Sequence, residues 1–262
     1  MKILIVAMQN RKMLFNLIYS DFKNRYLGNH LGIVWAFIQP LVMVAVYWFV
    51  FTKGFRVGAI SNVPFLLWLL AGLVPWFLIN DAIISASNAV VSQSFLVKKI
   101  VFEVKLLPFV KIGSALMVNL AFWVFMFLVC YLYGYYPNWW WMQLMYYILC
   151  IIAISLSLSL FFSAIMPFIM DIGQIITVIF QILFWVTPIF WDKSILIGNN
   201  NYIIKLNPFA YIVDGVRDTI FDQVPFWNNY KQVLYFWCFV LVVLWIGNRT
   251  FNKLRPHFAD VL

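Results

Sequence analysis

Apolar residues along this chain fall into long blocks separated by short polar, basic or turn-rich breaks. A helix that crosses the hydrocarbon of a bilayer needs roughly 20 apolar residues. The longest block, residues 112–170, runs 59 residues without Asp, Glu, Lys or Arg and accommodates two crossings. Gly134-Tyr135-Tyr136-Pro137-Asn138 divides it with turn chemistry. Trp139, Trp140 and Trp141 come next, where indole rings settle at a membrane–water boundary. Further spans are predicted at 31–52, with Pro40 as a kink, and at 63–90, interrupted by Gly72 and Pro75 and carrying Asp81. Pro167 and Asp171 mark a tight turn before a fifth span over 172–191, and a sixth occupies 232–248. The pattern predicts a single all-α integral membrane domain of six transmembrane helices.

The breaks have characters of their own. Residues 1–29 are basic and polar with one apolar stripe, Leu14, Ile18, Phe22 and Tyr26, flanked by Phe15 and Tyr19. That periodicity predicts an amphipathic helix lying on a membrane surface. Residues 92–111 form a basic connection with Lys98, Lys99, Lys105 and Lys111 around Glu103. Residues 192–231 are too polar to span and too apolar for a plain loop. Pro208 there reads as a helix start.

Composition sharpens the class. The chain is 65% hydrophobic and 10% charged, with mean hydropathy +0.92, values of integral membrane proteins. The net charge of +9 does not point to nucleic acid, because the bases sit at the ends of apolar runs. Twelve of the 18 Lys and Arg fall in the N-terminal segment, the 92–111 connection and the tail from Arg249, and six on the other side. That bias predicts both termini in the cytoplasm. Cys130, Cys150 and Cys238 lie in apolar runs and read as small core residues.

Several chemistries are missing. No phosphate-binding loop occurs, so no ATP or other cofactor is expected on this chain. His30 and His257 lie outside the spans, so neither a metal site nor a catalytic triad is predicted. Asp214, Asp218 and Asp222 recur every four residues and read as a solvated helix face ahead of a carboxylate pair for glycosyl transfer. Asp81 is the one carboxylate within a span, read as a structural hydrogen-bonding group. Aromatics make up 20% of the chain. Phe180 and Phe184 are four apart in span five beside Trp185, and Tyr47 and Phe51 four apart in span one. Rings at that spacing are candidates for a lane along which sugars slide on their apolar faces, by analogy with base stacking on aromatic platforms.

Short motifs along nearly the whole chain resemble the permease subunits of ATP-binding-cassette exporters of O-antigen, capsule and teichoic acid. They are Asp21-Phe22-Lys23-Asn24-Arg25-Tyr26, Leu31-Gly32, Trp35, Gln39-Pro40-Leu41, Gly72-Leu73-Val74-Pro75-Trp76, Lys98-Lys99-Ile100-Val101-Phe102, Leu107-Pro108, Thr187-Pro188-Ile189, Asn207-Pro208-Phe209, Arg217-Asp218 and Phe251-Asn252-Lys253-Leu254. Glu103 stands where the family often has Pro, Met170 where it often has Arg, and Asp81 has no counterpart. The resemblance implies a homodimeric pore in the cytoplasmic (inner) membrane, with a separate ATPase that binds the ATP and a lipid-linked polysaccharide as cargo. It implies an N-terminal interface helix, and coupling to the ATPase through Phe95, Lys98, Lys99, Phe102 and Glu103. It also implies a gate of re-entrant short helices within 192–231, carrying Asn207, Pro208, Arg217 and Asp218. A permease of the same architecture moving a drug or small lipid is the alternative. A membrane-embedded transferase would need convergent carboxylates or histidines, which the sequence does not offer.

Overall fold

The computed structural model describes residues 11–26, 32, 34–98, 103–195 and 201–262. Apart from an isolated bridge between Ile60 and Val63, the described residues form helices, turns and loops. Helix α1 (Arg11–Tyr26) precedes α2 (Val34–Phe49), which runs on into a π turn, Val50–Gly54. Helix α3 (Phe65–Ser87) leads into two single turns, α4 (Ala89–Ser92) and α5 (Ser94–Val97). The long α6 (Leu106–Leu132) and α7 (Gln143–Ile165) come after them, then α8 (Ile172–Val186). Short helices α9 (Asn201–Leu206) and α10 (Pro208–Arg217) come before α11 (Tyr230–Leu254) and α12 (Phe258–Val261).

Helix α3 is the core of the bundle. Residues 65–79 are apolar around the whole circumference, which suits a helix enclosed on every side, and α6, α7, α8 and α10 pack around it. Seventeen of its 23 residues are buried. Helix α11 packs chiefly on α7. At their crossing Gly247 leaves room for the backbone of Ser157 and Phe161, each 3.0 Å from where a Cβ would sit. Helix α2 is the opposite case, with Val44 its one buried residue.

Five helical segments are long and apolar enough to cross a bilayer: Val34–Gly54, Phe65–Ser87, Leu106–Leu132, Trp139–Ile165 and Phe226–His257. The predicted fifth span is shorter than its apolar run. Helix α8 has 15 residues, about 22 Å at 1.5 Å per residue, against a hydrocarbon thickness of roughly 30 Å. Thr187 is already extended, and Pro188 has no N–H with which to continue a helix. Apolarity there measures burial, not helix length. The divide at residues 133–138 falls where expected, and Asn138 caps the Trp139–Met142 turn by accepting the Trp140 N–H at 3.1 Å.

The N-terminal stripe divides its contacts. Leu14 is buried against Leu106 and Val110 of α6, with Leu17 and Ile18 beside it. A Cβ at Gly113 would lie 2.6 Å from the Ile18 side chain, so glycine permits this close approach. Phe15 and Tyr19 face outward. Asp81 makes structural bonds: it accepts from Arg25 Nη1 at 3.1 and 3.2 Å. Arg25 Nε also reaches Asp21 at 3.3 Å, and Lys111 Nζ donates to Asp21 at 2.6 Å. Two acids and two bases thus tie α1 to α3 and α6.

At the same end, the 92–111 connection packs on the C-terminal tail. Val104 and Leu107 join Ala89, Val90, Leu160, Ala164, Phe251 and Phe258 in one apolar cluster. Glu103 accepts from both Nη atoms of Arg255, at 2.8 and 3.3 Å. Lys105 donates to Asn248 at 3.1 Å.

Candidate functional site

A cavity of about 740 Å³ lies between α2, α3, α6 and α8, with Arg25 of α1 also on its wall. Four side-chain amides line it: Gln39, Asn80, Asn119 and Gln181. Hydrogen-bonding groups inside a membrane domain are costly unless they are used. Asn119 donates to the Ala115 carbonyl at 2.9 Å. The rest of the wall is largely aromatic: Trp35, Tyr47, Trp76, Phe77, Phe122, Phe180, Phe184 and Trp185. Rings pack behind one another there, Trp76 5.7 Å from Phe184 and 6.0 Å from Phe180, and Tyr47 6.0 Å from Phe184.

Four of the five aromatics singled out from the sequence, Tyr47, Phe180, Phe184 and Trp185, meet on this wall. Phe51 is not on it. It stacks on Phe190 at 5.0 Å and on Phe65 at 5.7 Å. Its place is explained by the π turn at Val50–Gly54, which widens the helix and rotates its last residues off the i, i+4 face. Sequence spacing does not pick out Trp76, Phe77 or the four amides. An amide inside an apolar span is the signal that marks them.

Arg217, 2% exposed, forms a buried node at the end of the bundle away from α1. Its Nη1 donates to the Pro188 carbonyl, and its Nη2 to the carbonyls of Ile189 at 2.7 Å and Trp68 at 3.2 Å. The guanidinium carbon lies 3.9 Å over the Trp68 ring. The nearest carboxylate oxygen, on Asp214, is 3.9 Å away. The broken backbone after α8 supplies two of the three acceptors. Asn207 caps α10 by accepting the Phe209 N–H at 3.0 Å and donates to Thr187 at 2.9 Å. A Cβ at Gly72 would come within 2.8 Å of Arg217 Nη2 and 3.3 Å of Ile189 Cα. Motif pieces far apart in the chain therefore converge: Gly72, Thr187-Pro188-Ile189, Asn207-Pro208 and Arg217.

A second cavity, about 440 Å³, opens on the other face of α10. Tyr147, Asp192, Lys193, Tyr211, Asp214, Asp218 and Phe226 are on its wall. Lys193 pairs with Asp214 at 3.2 Å. Burial, reinforced by Asp214 and Asp222, pushes the Asp218 carboxyl up to about 6. A solvated helix face therefore describes Asp222 alone of the three aspartates. Helix α10 ends at Arg217 and passes into a π turn, Asp218–Asp222, which turns Asp218 inward.

Of the residues expected to meet an ATPase, Phe95 and Lys98 are exposed on and just after α5, and Glu103 is bound to Arg255. Lys99 and Phe102 lie outside the described residues. No group of three or more metal-ligating side chains occurs among the described residues.

The sequence from residue 13 to residue 221 matches the ABC-2 type transporter family. The chain belongs to that family. Relatives extend over nearly its full length. It is 28% and 27% identical to two proteins of Klebsiella pneumoniae, each named O-antigen export system permease protein RfbA, over 93% of this chain and 92% of each relative. It is 24% identical to the protein of that name from Myxococcus xanthus, over 96% of both chains. This ABC-2 chain carries the aromatic and amide cavity in its membrane domain and the buried Arg217 node.

Proposed function

We propose that this ABC-2 chain is the transmembrane subunit of an ATP-driven exporter of lipid-linked polysaccharide such as O-antigen. The observation that carries the reading is the wall of the larger cavity, together with the names of the relatives. A sugar ring has apolar C–H faces and a rim of hydroxyls. Aromatic faces such as Trp76, Phe184 and Tyr47 take the first, and Gln39, Asn80, Asn119 and Gln181 exchange hydrogen bonds with the second. Contacts that are individually weak and repeated let a polymer enter and still leave.

Two copies of the chain enclose the pore, with a separate ATPase beneath that binds the ATP. Both termini and the 92–111 connection face the cytoplasm, in keeping with the basic bias toward that end. Phe95, Lys98, Lys99, Phe102 and Glu103 receive the ATPase's motion. The clasp of Glu103 on Arg255 and the shared cluster with Phe251 and Phe258 offer a packed route by which that motion reaches α7 and α11. Asn207, Pro208, Arg217 and Asp218 belong to the outer gate.

The test deletes the gene and tracks the cell-surface polysaccharide. Loss from the surface, with lipid-linked glycan accumulating inside, is expected. Unchanged surface glycan with a lost drug resistance would move the chain to the small-molecule class. Gln181→Ala sharpens the assignment to the cavity. Gln181 is exposed and packs little, so export should fall several-fold while the protein accumulates normally.

A further inference from the structure

We infer that the smaller cavity over α10 is a second saccharide site, on the outer side of the gate and separate from the larger cavity. The inference rests on the polysaccharide reading above and adds a place where the emerging glycan is held.

The charges in this cavity nearly balance, with Lys193 and Lys205 set against Asp192, Asp214 and Asp218. Lys193 pairs with Asp214 at 3.2 Å, and Asp192 accepts a hydrogen bond from the neutral Ser61 hydroxyl at 3.2 Å. Matched charge gives a free ion little reason to bind, so what the cavity offers is hydrogen bonding. The Asp218 carboxyl reaches its wall and makes no hydrogen bond or ion pair among the described residues. An ionised carboxylate accepts at both oxygens, and an unmet acceptor in a half-buried site favours a ligand rich in O–H donors. Tyr211, hydrogen-bonded to the Tyr146 hydroxyl at 2.9 Å, and Tyr147 add ring faces to that wall. Gln232 and Asn229 add amides. Carboxylate, amide and aromatic face together match a neutral, hydroxyl-rich ring and match neither a metal ion nor an anion. The volume lies in the range of pockets that enclose small ligands.

The position gives the site a consequence. Tyr211, Asp214, Gly215 and Asp218 belong to α10 or to the turn directly after it. Gly215 lets Tyr147 lie against that helix, because a Cβ there would fall 2.1 Å from the ring. Arg217 anchors the other face of α10 to the end of α8. A sugar seated on Asp218 therefore touches the gate helix itself.

The full chain, purified in lipid nanodiscs with the ATPase that accompanies it, is titrated with the strain's own surface polysaccharide freed from its lipid by mild acid. Saturation-transfer NMR reads binding, and thermal unfolding reads integrity. In a Gln181→Ala background, which weakens the larger cavity, Asp218→Asn and Gln232→Ala are each expected to weaken the remaining binding about tenfold without lowering the unfolding temperature. Two variants keep the test open should one fail to fold. Binding by both outer variants equal to that of their Gln181→Ala parent, or its loss in that parent, would place the glycan in the larger cavity alone and overturn the second site. Absence of glycan binding by the wild type, or displacement of glycan by ethanolamine-headgroup lipid, would overturn it as well. The gene deletion is read separately: if it abolishes surface glycan, the exporter reading stands whatever becomes of the second site.

Discussion

The chain holds two arginines in opposite ways. Arg25, at the end that carries α1, sits among carboxylates: Asp81 at 3.1 Å and Asp21 at 3.3 Å, with Lys111 completing a neutral group of four. Arg217, at the other end, is more deeply enclosed and has backbone carbonyls and a ring face in place of a close carboxylate. Stripping water from an arginine costs several kcal/mol where the burial is complete, as at Arg217, and less at the partly exposed Arg25. A carboxylate can restore that from a mobile side chain. Two of the three carbonyls, on Pro188 and Ile189, are available because the backbone has broken out of its own hydrogen-bond ladder after Val186, and the third, on Trp68, is shared with the first turns of α3. The first arrangement tolerates small shifts of α1. The second makes the shape of the 187–189 segment and the seating of α10 depend on each other.

The largest test of this contrast removes the second arginine. Arg217→Met leaves the Pro188 and Ile189 carbonyls unpaired in a dry site at about 1–3 kcal/mol each, so the protein should fail to accumulate or should unfold far below the wild type. Normal levels of Arg217→Met with an unchanged melting curve would show the node to be dispensable. Gly72→Ala attacks the same node by crowding and should cost about 1–3 kcal/mol. Arg217→Lys in that background should not restore it, since lysine cannot span three acceptors with a planar fork. At the other end, a double-mutant cycle of Arg25→Met and Asp81→Asn should give a coupling of about 1 kcal/mol, weakened by salt, because both groups are partly exposed. A coupling above the loss measured for Arg217→Met would invert the comparison. An effect of similar size is the pH dependence at Asp218. Its folded pKa, about 6, is raised above its usual value of 3.8, so the folded chain binds that proton more tightly. The resulting stability is complete below about pH 4 and is lost as pH rises through 6. Unfolding in detergent should therefore be about 1–2 kcal/mol harder at pH 5 than at pH 7.5 through this group, and Asp218→Asn should flatten the difference.

The membrane class and most helix positions were legible in the sequence because apolar run length is set by bilayer thickness. The 133–138 divide and the helix start at Pro208 were legible for local reasons, since turn and cap chemistry does not depend on distant partners. What stayed hidden depends on contact across the chain. Asp81 finds Arg25 over a separation of 56 residues, and nothing in either segment specifies the other. Phe51 shares a helical face with Tyr47 only until the π turn intervenes, and the Val50–Gly54 segment does not announce one. Trp68 and Ile189 bind Arg217 through backbone carbonyls, which every residue possesses, so no side-chain pattern marks them. The presence of Glu103 in place of Pro acquires a reason in the clasp with Arg255.

Helix α8 has one more consequence, which concerns the bilayer. The helix itself is about 8 Å shorter than an average hydrocarbon layer, while α2 with its π turn, Val34–Gly54, is long enough to match it. Wherever lipid meets the outward face formed by Ile175, Val178, Ile179 and Ile182, the two leaflets must pinch toward each other, at fractions of a kcal/mol per Å of mismatch. That dimple lies beside the larger cavity, to which the same helix contributes Gln181 and Phe184. A polar headgroup resting there has a shorter distance to travel than one elsewhere in the membrane, so acyl-chain length becomes a variable of the transporter itself.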